Sequence, residues 1–203
     1  MGLDITVLIV DWDRVERTPA AARQELLDEA ELAILDDEEP PQFQPRGWVW
    51  PAAPEDSWYA CYEFHSTSGS YKPHFWAGQV WEDVRDFADP ALRSALDAFL
   101  SRLIWRGLDG DAVHVEGDGL AHRDADSWLR LLLACPPAAV HELAEQWARA
   151  APRLEALREP FAEHAAQPGR WTGTFAEFED LLTEWGEVVC EADRRGWGLA
   201  GLP

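Results

Sequence analysis

The apolar positions at the start of the chain follow two patterns in succession. Residues 3–10 form a run rich in β-branched side chains, which predicts a buried strand. Thr18 and Pro19 then predict a helix N-terminus, and apolar residues at helical spacing extend that helix to about Leu35. Four consecutive acids and two prolines at 36–41 end it, since like charges repel and proline cannot continue a helix.

Between Gly47 and Trp81 the pattern becomes aromatic and repeats every second residue. The clearest stretch is 58–64, where Trp, Ala, Tyr and Phe alternate with a second set of side chains. A period of two places alternate residues on opposite faces of a strand. Residues 66–70 are rich in serine and predict a turn between two such strands.

Further elements are predicted in the second half of the chain. They are a helix that begins at Asp89 and Pro90, a short strand at 111–116, a short apolar helix at 128–135, a helix that begins at Pro136 and Pro137 and is divided near Pro152, and a final helix. Thr174 and Glu177 form a capping-box pattern for the final helix, which should end before Gly196.

These elements predict an α+β fold with one mainly antiparallel sheet covered by helices on one face, and a helical C-terminal half. The strands and helices do not alternate regularly, which disfavours a parallel sheet. We expect a single domain over residues 1–203, with a subdivision near 107–126 as the alternative.

Charge narrows the choice of partner. The chain has 38 acidic and 17 basic residues, a formal net charge of −21, and Lys72 as its one lysine. A nucleic-acid partner is therefore not expected, because phosphate binding needs clustered basic side chains. A strongly acidic surface can instead steer a basic protein, although the same charge would also serve solubility.

Cysteine usage and hydropathy predict a cytoplasmic location without a membrane partner. The three cysteines, Cys61, Cys135 and Cys190, are widely spaced, so neither a disulfide framework nor a cysteine-rich zinc site is expected. The longest apolar run near the N-terminus is far shorter than the ~18 residues that a membrane span requires.

Residues 7–15 contain the sharpest catalytic pattern, an apolar strand followed by Asp11 and Asp13 with one residue between them. This pattern resembles the first motif of haloacid-dehalogenase-type phosphatases. The resemblance implies a nucleophilic Asp11, a general acid at Asp13 and a magnesium ion beside them. The mid-chain lysine and the later acidic pair of that family have no clear counterparts here. Strand termination at Asp11 and capping or solvation by Asp13 explain the same residues.

Two other clusters carry candidate chemistry. The loop acids Asp118, Asp124 and Asp126 with His122 could hold a divalent cation such as magnesium, although solvated acids and a helix cap account for them equally. His65 and His74 flank the serine-rich turn and would face each other across the predicted hairpin, where they could act as acid and base.

Tryptophan is unusually frequent, with 12 among 203 residues, and is concentrated between Gly47 and Trp81. Since Trp is enriched at binding hot spots, we expect a partner surface there, with a sheet face packed under helices as the alternative. Its candidate residues are Trp48, Trp50, Trp58, Tyr71, Trp76 and Trp81. The sequence thus favours a non-enzymatic acidic binding protein of inhibitor or immunity type that needs no cofactor, and the alternative is a metal-dependent hydrolase or phosphatase centred on Asp11 and Asp13.

Overall fold

The apolar run at the start of the chain forms the central strand of a five-stranded sheet. The computed structural model describes residues 5–35, 47–51, 57–65, 67, 72–103, 131–167, 169 and 172–202. The strands are β1 (Thr6–Val10), β2 (Gly47–Val49), β3 (Tyr59–Glu63), β4 (Leu133–Cys135) and β5 (Gly198–Leu202). Their order is β2-β3-β1-β5-β4, and all neighbouring strands are antiparallel.

Helices make up most of the remaining described chain. They are α1 (Trp12–Arg17), α2 (Arg23–Leu35), α3 (Lys72–Val84), α4 (Pro90–Leu103), α5 (Pro137–Ala150), α6 (Arg158–Pro160) and α7 (Phe175–Arg195). The short helix α6 is continuous with a 3-10 segment at Ala151–Leu157 and a π-helical turn at Phe161–Ala165. An antiparallel sheet with a helical C-terminal half confirms the predicted α+β class. None of the described helices is long and apolar enough to cross a membrane.

Helices cover both faces of the sheet, whereas the sequence predicted cover on one face. Val7 and Ile9 of β1 belong to the larger core with α3, α4, α5 and α7. Leu8 and Val10 point the other way and pack in a smaller core with α1 and α2. A strand buried on both sides has no polar face to expose, which explains the unbroken apolar run of β1.

The local signals at the ends of α4, α5 and α7 are confirmed, whereas Thr18, predicted to begin a helix, instead ends α1, and α2 begins at Arg23. Asp89 Oδ1 accepts hydrogen bonds from the N–H groups of Ala91 and Leu92, at 2.9 and 3.1 Å, and so caps α4. Pro137 is the first residue of α5, and the regular helix gives way to 3-10 geometry next to Pro152. The capping box precedes α7, and Gly196 ends that helix in the left-handed conformation, with φ of 67°.

Two predicted elements differ in type from the structure. The aromatic strand expected after residues 66–70 is wrong, because residues 72–84 form α3. Ala77, Val80, Trp81 and Val84 are buried at helical spacing, a pattern that the dense aromatics around them obscured. The short helix expected at 128–135 is also wrong where it is described, since Leu133–Cys135 is β4.

The last strand, β5, was not predicted at all, because its two glycines hide the strand pattern. The predicted strand at 111–116 and the alternative domain boundary at 107–126 lie outside the described residues.

Candidate functional site

One face of α7 carries polar side chains toward the β2 side of the sheet. Glu184, Glu187, Glu191 and Arg195 follow one another at intervals of three or four residues, which places them on a single stripe of the helix. Three of these side chains contact residues from 47–65. Glu184 contacts His65, Glu187 contacts Tyr62, and Arg195 contacts Trp50. We call this stripe, together with those partners, the polar seam.

His65 and Glu184 form one end of the polar seam. Glu184 Oε1 accepts hydrogen bonds from the backbone N–H of His65 and from its Nδ1, the latter at 2.8 Å. The Glu184 side chain is only 9% exposed, whereas the His65 side chain is 58% exposed. Because a carboxylate accepts hydrogen bonds, Nδ1 carries the proton in this arrangement. The pair therefore holds the imidazole in one tautomer and one orientation.

Tyr62 lies in the middle of the polar seam and links it to a row of aromatic rings. Its hydroxyl donates a hydrogen bond to Glu187 Oε2 at 2.7 Å. Burial, reinforced by this carboxylate, raises the pKa of Tyr62, so the hydroxyl stays protonated and remains a donor. The Tyr62 ring makes edge contacts with Trp48 and Phe64 at centroid distances of 5.0 and 5.1 Å. These contacts join the surface of the β2 edge to the core.

Arg195 forms the other end of the polar seam. Its Cζ atom lies 4.1 Å from the ring centroid of Trp50 and 4.9 Å from that of Trp197. Its Nε donates a hydrogen bond to Glu191 Oε1 at 2.7 Å. Trp48 adds a further indole, tilted against Trp50 with 5.6 Å between centroids. A cation is thus held between two aromatic rings and a carboxylate.

His74 does not face His65 across a hairpin, because it belongs to α3 and is fully buried. Its Nδ1 accepts a hydrogen bond from Trp185 Nε1 at 3.0 Å. Burial lowers the pKa of His74 to about 3, so the ring is neutral at physiological pH. The acid–base pair predicted from the sequence is therefore not assembled.

The described residues of the predicted aromatic surface are partly or fully buried. Trp48 and Trp50 are half-buried at the β2 edge, and Trp58 is half-buried under the guanidinium of Arg14, at 4.7 Å. Trp76 is half-buried on α3. Trp81 is fully buried, and its indole donates a hydrogen bond to Asp97 at 2.9 Å. Its side chain therefore lies in the core and not on a surface.

Tyr71, the remaining residue of that predicted surface, lies outside the described residues.

Asp11 caps α1. Its Oδ1 accepts a hydrogen bond from the N–H of Arg14 at 3.3 Å, and its own N–H donates to the Trp58 carbonyl at 2.7 Å. Asp13 follows in the first turn and is exposed. At this end of β1 the neighbouring strands β3 and β5 begin, since Val10 pairs with Tyr59 and with Gly198. This antiparallel arrangement brings no carboxyl end of a neighbouring strand beside Asp11.

The residues proposed from sequence for a divalent cation, Asp118, His122, Asp124 and Asp126, lie outside the described residues. Within the part of the chain that the structure describes, no three His, Cys, Asp or Glu side chains come together as a metal site would require. The hydrolase hypothesis thus gains no assembled set of ligands among those residues.

The contribution of α7 was not foreseen from the sequence, which assigned this helix only to the core. The signal was present in the spacing of Glu184, Glu187, Glu191 and Arg195. The partners of these side chains, however, come from residues 47–65, more than a hundred residues away. No family model, curated protein or solved structure matches this chain. Chemically, the polar seam offers a set of oriented carboxylates beside half-buried indoles.

Proposed function

We propose that this protein is a non-enzymatic, acidic binding protein of inhibitor or immunity type, which captures a basic protein partner. Acidic side chains outnumber basic ones by about two to one among the described residues, close to the ratio of the whole chain. The described residues therefore carry an acidic excess of their own.

One observation carries the proposal: most of the arginines among the described residues are paired with carboxylates of the protein itself. Their ion pairs with carboxylates leave the surplus acids to determine the outward field. The paired residues are Arg85, Arg93, Arg102, Arg149, Arg153, Arg158, Arg194 and Arg195. A field of one sign raises the encounter rate with a partner of opposite charge.

The β2 edge supplies a place for such a partner to dock. Trp48 and Trp50 are partly exposed there, beside Glu187 and Glu191 of the polar seam. Aromatic side chains that become desolvated on binding are typical anchors, and surrounding charges set orientation. The combination fits a basic protein better than it fits a small substrate.

The experiment is affinity capture from the lysate of the native host with three forms of the protein. The wild type is compared with a Trp48→Ala/Trp50→Ala variant and with a control variant, Glu82→Gln/Asp83→Asn, whose exposed acids lie on α3. A basic protein enriched by the wild type and the control, but lost with the double tryptophan variant, would support the proposal. Equal recovery by all three forms, or enrichment of no basic protein, would contradict it.

A further inference from the structure

We propose that the C-terminal end of α7 and the β2 edge form a binding site for a guanidinium group. Arg195 occupies this site in the isolated protein, and an arginine of the partner displaces it. The site is defined by Trp50, Trp197 and Glu191, and we call it the guanidinium cage. The existence of the cage stands on its own geometry, whereas the identity of its incoming ligand rests on the proposed function.

The contacts of Arg195 show what the cage recognises. Its Cζ atom is 4.1 and 4.9 Å from the centroids of Trp50 and Trp197, within the ~6 Å over which an aromatic ring attracts a cation. Glu191 accepts the Nε hydrogen bond at 2.7 Å. A planar, delocalised cation with directed N–H donors satisfies both kinds of contact, which favours arginine over lysine.

Removal of Arg195 from the cage would not leave Glu191 without a counter-ion. Arg194 binds both oxygens of that carboxylate, with Nη2 to Oε1 at 2.6 Å and Nε to Oε2 at 2.7 Å. An uncompensated charge would make displacement costly, so this second arginine makes an exchange feasible. The guanidinium that leaves stays in the protein as a solvated side chain.

Arg195 is also placed where it can leave. It is the last residue of α7, followed by Gly196, and its side chain is 25% exposed. Rotation about its own side-chain torsions would carry the guanidinium into water without a change in the core. An incoming arginine would take over the ring and carboxylate contacts while adding contacts of its own chain to Trp48.

The charge of the surroundings agrees with a cationic ligand. Glu187 is the preceding carboxylate of the polar seam, and Glu63 is an exposed acid on β3, opposite Gly47 of β2. A basic segment that places one arginine in the cage would have further carboxylates within its reach. Such a segment would meet no net positive surface, because the local arginines are already paired.

The test is a titration of the Arg195→Gln variant with N-acetyl-arginine amide, monitored by the indole N–H resonances of the protein. N-acetyl-citrulline amide, which has nearly the same shape without the charge, is the control ligand. We expect saturable binding of the arginine compound by the variant, with shifts concentrated on Trp50 and Trp197. The wild type should bind roughly tenfold more weakly or worse, because the tethered Arg195 competes at a high effective concentration.

Two further variants establish the origin of the effect. Arg149→Gln removes an equal charge from α5, where Arg149 pairs with Glu145 and not with a residue of the cage, and should behave like the wild type. Trp50→Leu in the Arg195→Gln background should lose the binding. Arg195→Ala provides a second opening of the cage, and circular dichroism verifies that each variant is folded. Equal chemical-shift changes with the arginine and citrulline compounds would contradict the proposed guanidinium site. So would a failure of both Arg195→Gln and Arg195→Ala to show saturable binding.

These outcomes are separate from those of the proposed function, because the titration contains no partner. Arginine binding without capture of any basic protein would retain the cage and contradict the proposed function. Once a partner is identified, Arg195→Gln should bind it several-fold more tightly than the wild type. Unchanged or weaker affinity would contradict displacement of Arg195 by the partner.

Discussion

The indole of Trp185 donates a hydrogen bond to Nδ1 of His74 at 3.0 Å, in the interior between α7 and α3. This bond requires an unprotonated Nδ1, so the neutral ring carries its proton on Nε2. Phe64 packs against both rings, with centroid distances of 4.9 Å to each. The contact places a titratable group at the centre of the larger core.

The first prediction concerns acid stability. Burial lowers the pKa of His74 from 6.5 to about 3. Between these two pH values the imidazole is therefore protonated in the unfolded chain and neutral in the folded protein. The stability that the buried, neutral His74 contributes is fully present above pH 6.5. It is lost as the pH falls toward 3, by about 1.4 kcal/mol per pH unit for one proton. Urea unfolding of the wild type and of His74→Gln is measured across this pH range. The contribution of His74 is the difference between the two proteins in how steeply the free energy of unfolding changes with pH. Parallel pH profiles would contradict it.

The second prediction concerns the Trp185 side chain, whose burial the sequence pattern of α7 predicted correctly. Trp185→Ala should reduce the free energy of unfolding by ~3–5 kcal/mol, as expected for removal of a buried aromatic residue. Trp185→Phe retains most of the packing and removes the indole donor, so its cost should be smaller, about 1–3 kcal/mol. The exposed Phe87 supplies the control, since Phe87→Ala should cost less than about 1 kcal/mol. Denaturant titration measures all three, and a Trp185→Ala cost as small as that of Phe87→Ala would contradict burial.

The third prediction concerns the contact between α5 and α7. A Cβ atom on Gly186 would lie 2.1 Å from Cε2 of Trp147, so the glycine admits the indole. Glycine to alanine in an open helix position would stabilise by up to ~1 kcal/mol, but here overpacking should destabilise by about 1–3 kcal/mol. In a Trp147→Leu background the penalty of Gly186→Ala should disappear or reverse. A double-mutant cycle of thermal and denaturant unfolding measures this coupling, and additive effects would refute the steric argument.

Local signals predicted much of the fold. The capping box at Thr174 and the Asp89 cap each depend on interactions within a few residues, so their sequence patterns were sufficient. The run that became β1 was recognised from its own apolar, β-branched composition, although its partner strands are distant in sequence. The types of α3 and β4 were predicted wrongly, because aromatic and apolar side chains fit a buried helix and a buried strand equally well. Leu133–Cys135 forms a strand because it pairs with β5, which lies more than sixty residues further along the chain and is not visible in the local sequence pattern.

The candidate site was only half predictable for the same reason. Trp48 and Trp50 were expected at a partner surface from the density of aromatics. The structure places both half-buried at the β2 edge and packed against the larger core, and their role in binding stays a prediction. The rest of the site comes from the end of the chain and consists of Glu191, Arg195 and Trp197. The spacing of polar residues along a helix shows which of them share a face, but not which distant residues that face contacts. His65 was singled out, but its actual partner is Glu184 and not His74.

The fourth prediction separates a structural role of Asp11 from a catalytic one. Asp11→Ala should destabilise the protein by about 1 kcal/mol through loss of the α1 cap, whereas Asp11→Asn, which retains an acceptor, should cost little. Asp13→Ala is the control for loss of a nearby exposed acid. The same variants are assayed against generic phosphoesters with magnesium. Turnover by the wild type that vanishes in folded Asp11→Asn would favour the hydrolase alternative.

The fifth prediction divides the proposed partner's binding into its kinetic parts. Surface charge acts mainly on the association rate and desolvated aromatic anchors mainly on the dissociation rate. Raising the salt concentration, so that the Debye length falls from ~30 to ~8 Å, should therefore slow association and leave dissociation nearly unchanged. Trp48→Ala or Trp50→Ala should do the opposite and speed dissociation.

The partner captured in the pull-down allows this division to be measured by surface-binding kinetics. Trp76→Ala is the matched aromatic control, because Trp76 is half-buried on α3 and lies outside the β2 edge. Its dissociation rate should equal that of the wild type if the indoles at the edge are specific anchors. Association that is indifferent to salt would show that the acidic surface does not steer the partner. Faster dissociation in the Trp76 variant alone would contradict docking at the β2 edge and indicate that the partner binds at α3.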